Sequence, residues 1–97
     1  MTPTCTLIMY DISHPKRLRE VYQICRGFGL HIQYSVFRAD LTKSARAALI
    51  AALADVINHR EDQVLLVALG PADGKAKGAF FSVGRAYEHP ERYAHIY

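Results

Sequence analysis

A chain of 97 residues has room for one domain with a modest core and a high ratio of surface to volume. It is 51% hydrophobic and 22% charged, which excludes a disordered chain, and no apolar run approaches the roughly 20 residues of a membrane span. The net charge of +3 is unevenly placed: residues 1–46 carry seven basic and three acidic side chains, and residues 47–97 carry five and six. A basic first half favours phosphate-bearing partners without naming one, and a solvated helix face is the plain alternative.

"TCTLIMY" (4–10) is short, apolar and β-favouring, which predicts a central strand buried on both faces. A helix follows in "SHPKRLREVYQICRGFG", with Ser13 or His14 as its cap and Pro15 in its first turn. Leu18, Val21, Tyr22, Cys25 and Phe28 fall on one apolar stripe, Lys16, Arg17, Arg19, Glu20, Gln23 and Arg26 lie off it, and Gly27 or Gly29 ends the helix. "LHIQYSVFRADL" (30–41) reads as two short strands, or one strand bent near Gln33 to Ser35.

Thr42 caps a second predicted helix in "TKSARAALIAALADVINH", whose buried face is Ala45, Leu49, Ala52, Leu53, Val56 and Ile57. "QVLLVALG" (63–70) reads as another inner strand, "PADGKAKG" (71–78) as a loop and "AFFSVG" (79–84) as a strand. "RYAHIY" (92–97) reads as a weaker strand.

The expected fold is therefore α+β, a single ferredoxin-like domain over residues 1–97. It has βαββαβ order with an extra C-terminal strand, and both helices lie on one face of an antiparallel sheet. The other face needs a cover, and a second copy of the chain is the simplest candidate. A homodimer through the sheet face is thus an expectation. The many tyrosines and aliphatic residues of so small a chain agree with it.

Cys5 and Cys25 lack C-x-x-C spacing and sit in apolar settings, so buried reduced thiols are expected. "MTPTCTLIMYD" has no basic n-region and no A-x-A-like cleavage site, so neither a signal peptide nor a membrane anchor is expected, and the location should be cytoplasmic.

Asp11 ends the first strand just ahead of the first helix. Two readings stand. Near a helix N-terminus a carboxylate is stabilised by the dipole and free N–H groups. It is also a fitting ligand for Mg²⁺ or Mn²⁺, hard cations that keep several waters. One Asp makes a poor site, but a two-fold axis near this strand end would bring Asp11 of both protomers together. Arg17 and Arg19 would then hold flanking phosphates.

"YDISHPKRLREV" (10–21) with "GLHIQYSVFRADL" (29–41) closely resembles the small CRISPR-associated nuclease family, the second of the universal CRISPR-associated proteins. That family's pattern is an apolar strand ending in Tyr-Asp-Ile/Val and an Arg/Lys-rich first helix. After it come a Gly, a basic residue and Gln-Tyr-Ser-Val-Phe. Length and element order fit across the whole chain.

The resemblance implies a ferredoxin-like homodimer whose C-terminal strand, here 93–97, packs onto the partner's sheet. It implies a metal-dependent endonuclease of single-stranded RNA or double-stranded DNA, and a bridge between integrase subunits in CRISPR spacer acquisition. It carries the metal-binding and catalytic Asp onto Asp11, and supporting roles onto Tyr10, Ser35 and Phe37. The nucleic-acid contacts fall on Arg17 and Arg19, with Lys16, His31 and Arg38 beside them. His31 stands where the family often has Arg. A histidine is mostly neutral above pH about 6.5, so a phosphate grip there becomes weak and pH-dependent.

Other residues have plainer readings. Ser35 lacks a His/Asp partnership, Phe37 is core packing or a base-stacking surface, and His14 is a loop histidine or a proton shuttle. His89 belongs to a polar turn, and no H-x₃-H zinc spacing occurs. Lys43, Arg46, Lys75, Lys77 and Arg85 are solubilising charges or an extension of a DNA-contacting surface. Beside the nuclease reading stand a non-catalytic DNA-binding scaffold, a toxin-type ribonuclease of the same fold and a small-molecule-sensing dimer. The last predicts no salt-dependent affinity for DNA.

Overall fold

The computed structural model of the protein describes residues 2–89. Strand β1 spans Thr4–Asp11, helix α1 Pro15–Phe28, β2 Leu30–Gln33, β3 Val36–Leu41, helix α2 Lys43–Val56 and β4 Gln63–Pro71. A 3₁₀ turn follows over Lys75–Ala79. The four strands form one antiparallel sheet in the order β2-β3-β1-β4, the ferredoxin-like arrangement.

The local chemistry explains these boundaries. His14 caps α1 by accepting a hydrogen bond from the Lys16 N–H, and Pro15 occupies the first turn, where its missing N–H is not needed. Gly29 ends α1 because a Cβ there would collide with the Arg38 carbonyl and the Ala39 side chain of β3. Thr42 caps α2 by accepting from the Ala45 N–H at 3.1 Å. The 30–41 segment is two strands joined at Tyr34 and Ser35, with a register shift between His31 and Gln33 that adds twist at the hairpin tip.

The core lies between the sheet and the two helices. Ile8, Tyr10, Phe37, Ala39 and Leu41 from the sheet meet Val21 and Cys25 of α1 and Ala45, Leu49 and Leu53 of α2. Each fully buried aliphatic or Phe side chain contributes about 1.5–3 kcal/mol, so this layer holds the helices to the sheet. Both cysteines are free and buried, and burial pushes the Cys25 thiol up to about 12.

Four expectations need correction. Residues 79–84 are not a strand: the chain makes the 3₁₀ turn and then runs without a ladder to His89. Gly84 has φ 88°, a left-handed value that interrupts an extended strand. Strand β4 is not internal, since among the described residues it pairs only with β1. Its run looks internal because Val64 and Leu66 face the helices while Leu65 (47% exposed) and Val67 lie on the open face. Strand β1 is central but its outward side chains, Leu7 and Met9, are only half-buried. Leu18, assigned to the buried stripe of α1, is exposed at its edge. The C-terminal strand expected at 92–97 lies outside the described residues.

Candidate nucleic-acid interface

Alternation along β1 sends Tyr10 toward the helices and Asp11 to the opposite side at the strand's end. Asp11 is exposed, opposite Gln63 of β4, and its carboxylate makes no hydrogen bond or ion pair among the described residues. The strand end is pinned from the other side, where the Tyr10 N–H donates to the Ser35 carbonyl at 3.1 Å. Tyr10 itself is buried. Burial first, then the neighbouring Cys25 and Tyr22, raises its phenol above the ordinary value, so it remains a neutral hydroxyl.

Helix α1 begins four residues later and presents Lys16 and Arg19 to solvent. Arg17 is turned inward. Its Nε donates to Asp62 Oδ2 at 2.7 Å, and its Nη2 reaches Asp62 Oδ1 and Glu61 Oε1, each at 3.3 Å. Asp62 also accepts from the Ser13 N–H (3.0 Å), the Ser13 hydroxyl (3.1 Å) and the Asn58 N–H (2.8 Å). The Arg17 guanidinium foremost, opposed by burial and reinforced by the Ser13 and Asn58 amides, holds this carboxyl well below the usual carboxylate range.

Nothing in the sequence singles out Asp62. It sits in "HREDQV", one acid beside another, and apart from the Asn58 N–H its partners, Ser13 and Arg17, lie more than 40 residues away in the chain. The only local cue is an Asp immediately ahead of a strand.

The remaining assigned residues divide between the two faces of the sheet. His31 is exposed on the helix side, its Nε2 on the Tyr34 carbonyl at 2.6 Å and its ring packed against Tyr22 and Phe37. Phe37 is 0% exposed and lies in the core, so its ring is not presented to a ligand. Ser35 is half-buried in the β2–β3 turn.

Arg38 is 6% exposed and on the opposite face, where it lies over the Phe80 ring at 5.1 Å and its Nη1 bonds His89 Nδ1 at 3.0 Å. His89 is pushed below its ordinary value by burial first and then by the Arg38 and Lys77 charges, which keeps Nδ1 an acceptor. The structure therefore leaves Asp11, Lys16, Arg19 and His31 exposed, ties Arg17 into the fold, and sets Arg38 apart under residues 80–89.

No group of three or more His, Cys, Asp or Glu side chains close enough to hold a metal occurs among the described residues. The donor set that one chain offers at the end of β1 is the exposed, uncommitted Asp11 carboxylate. A cation that keeps most of its water and takes one or two carboxylates fits it; a cage of protein ligands does not.

Comparisons with known proteins agree with this geometry. The pattern of the family described as CRISPR associated protein Cas2 matches residues 4–75. A protein of Rhodospirillum rubrum named "CRISPR-associated endoribonuclease Cas2 1" is 39% identical over 90 residues, 93% of this chain and 87% of that one. A Geobacter sulfurreducens protein named "CRISPR-associated endoribonuclease Cas2" is 34% identical over 82 residues, 84% and 85% of the two chains. The crystal structure of Streptococcus pyogenes Cas2 at pH 6.5 superposes with a TM-score of 0.72 at 26% identity, covering 82% of this chain and 99% of that one. Matched along most of its length by sequence and by fold, the chain belongs to the Cas2 family.

Proposed function

We propose that this protein hydrolyses phosphodiester bonds of single-stranded RNA as a homodimer, with Asp11 of both protomers as the shared acidic centre. The observation that carries the reading is the disposition of Asp11. Its carboxylate is exposed and uncommitted at the end of β1, four residues ahead of the helix that presents Lys16 and Arg19 to solvent. An acid needed only to cap or brace the fold would be engaged, as Asp62 is.

Asp11 from each copy would hold Mg²⁺ or Mn²⁺, which when bound supplies positive charge for a phosphate oxygen and a more acidic water. Lys16 and Arg19 bind and orient the flanking phosphates. Tyr10 anchors the strand end through its backbone bond to Ser35.

The dimer reading is supported by the open sheet face. Leu65 and Val67 of β4 are exposed there, and Phe81 (91% exposed) and Val83 project from the segment that crosses it. Exposed large apolar side chains on one face of the molecule support an interface there. The same reading includes a part in CRISPR spacer acquisition, in which the dimer docks an integrase subunit and holds duplex DNA. Family membership supports that extension.

The test is cleavage of labelled single-stranded RNA and double-stranded DNA with Mg²⁺, Mn²⁺ or EDTA, with wild type and Asp11→Asn side by side. Metal-dependent cutting that the variant loses is the expected result. No cutting, together with salt-sensitive duplex binding that Asp11→Asn leaves unchanged, would replace the hydrolase with a DNA-holding scaffold.

A further inference from the structure

On the helix side of the sheet, next to the strand end that carries Asp11, the surface opens into a cleft of about 320 Å³. Arg19, Tyr22 and Gln23 of α1, His31 of β2, and Tyr34 and Ser35 of the β2–β3 turn line it. Its volume is at the lower end for ligand pockets, enough for one flat ring system and too small for a peptide helix.

Two features suit this cleft to a planar guest. First, its aromatic wall is fixed in advance. The Tyr22 and His31 rings meet edge to face at 5.3 Å, both rest on the buried Phe37 (5.4 and 5.0 Å), and the His31–Tyr34 carbonyl bond fixes the imidazole. A wall that is already ordered loses little freedom when a ligand arrives. Second, Tyr34 is 95% exposed at the hairpin tip. A bulky aromatic side chain held in water on a tight turn offers a free ring face.

The polar lining narrows the chemistry. Arg19 is the one fixed cation, no acid lines the cleft, and the Gln23 amide and Ser35 hydroxyl offer donors and acceptors. This is the complement of a ring with hydrogen-bonding edges attached to an anionic backbone. The open apolar face of the sheet lies on the other side, so a dimer formed there leaves the helix-side cleft accessible.

We propose that the Tyr22–His31–Tyr34 cleft holds one unpaired nucleobase of a single-stranded polynucleotide, stacked on the aromatic wall while Arg19 contacts the adjoining phosphate. A base inside a duplex is stacked on its neighbours and cannot present its face to the cleft, so the site selects single strands. The inference rests on the reading of the protein as one that acts on single-stranded RNA, whose hydrolysis would occur at the neighbouring Asp11.

The experiment measures binding of fluorescein-labelled RNA 12-mers, intact or carrying one abasic position at each site in turn. Single-stranded DNA and duplex of the same sequence are run beside them. The proteins are wild type, Tyr34→Ala and Tyr34→Phe, with folding checked by circular dichroism; Tyr34 is exposed, so both variants should fold. Tyr34→Ala is expected to weaken intact RNA about tenfold, and Tyr34→Phe to restore it, since the ring face and not the hydroxyl does the stacking. One abasic position should weaken wild type by a similar factor and leave Tyr34→Ala unaffected.

Single-stranded DNA with the same Tyr34 dependence supports the proposal. Duplex binding that depends equally on Tyr34 overturns it, as do abasic strands that bind like intact ones. Cleavage of the same oligomers with Mg²⁺ separates the two readings. Binding that depends on Tyr34 without any cleavage keeps the base site and removes the hydrolase. Cleavage that depends on Asp11 but ignores Tyr34 and the abasic positions does the reverse.

Discussion

Arg17 and Asp62 are 45 residues apart in the chain and joined by a 2.7 Å bond between Nε and Oδ2. Through this pair and the Ser13 contacts, the turn before β4 clamps the loop that runs from Asp11 to the start of α1. A basic residue that sequence alone assigns to phosphate is thereby committed to the fold.

The clamp makes stability depend on acid. Asp62 is held below its ordinary value in the folded protein, so its contribution is complete above the unfolded carboxylate value of about 3.9 and is lost as pH falls below it. Asp62→Asn is expected to lower the midpoint of thermal unfolding at pH 7 by about 5 °C or more. At pH 3 the difference between variant and wild type should shrink. A constant difference from pH 7 to pH 3 would show that the charge of Asp62 is not what matters.

The cations of α1 should separate in salt titrations. For a single strand, each phosphate contact contributes about 0.7 to the slope of log affinity against log salt. Lys16→Gln and Arg19→Gln are each expected to flatten the slope by roughly that amount. Arg17→Gln should leave the slope nearly unchanged and lower the unfolding temperature instead, because its guanidinium is already neutralised by Asp62 and Glu61. Equal slope changes for all three would mean that the clamp opens when polynucleotide binds.

Phe37 should behave as a core residue. Enclosed among Ile8-side sheet residues and the rings of Tyr10, Tyr22 and His31, it leaves a large hole when truncated. Phe37→Ala is expected to cost about 3–5 kcal/mol in urea unfolding. A loss below about 1 kcal/mol would place the ring outside the core.

Gly29 marks the closest approach of α1's end to β3. In Gly29→Ala the new methyl group meets the Arg38 carbonyl and the Ala39 side chain, and backbone cannot rotate aside as a side chain would. Destabilisation of about 1–3 kcal/mol is expected by the same urea assay. An Ala variant as stable as wild type would show that the helix end moves freely away from the sheet.

How much of this was legible in sequence varies with the range of the interaction. His14 and Thr42 announce their helices because a cap acts within three residues, and the apolar stripe of α2 is read from its own spacing. The split at Tyr34 and Ser35 also has a local cause in the turn. Strand β4 reads as internal and residues 79–84 as a strand because apolar content does not distinguish burial against the same chain from exposure on an open face. In the candidate site, Asp11 at the strand tip was visible, whereas the division of labour among Arg17, Arg19 and Arg38 was not. Three arginines with the same charge acquire different roles from partners at long range: Asp62 for one, solvent for another, Phe80 and His89 for the third.

By itself the sequence determined the order of the elements from β1 to β4, the cap of α2 and the family motifs, since each is written in neighbouring residues a few positions apart. Only the tertiary structure decided which cations remain available, where the aromatic cleft lies and which face stays uncovered. Those depend on contacts across tens of residues, where the fold chooses the partner and the local sequence carries no record of the choice.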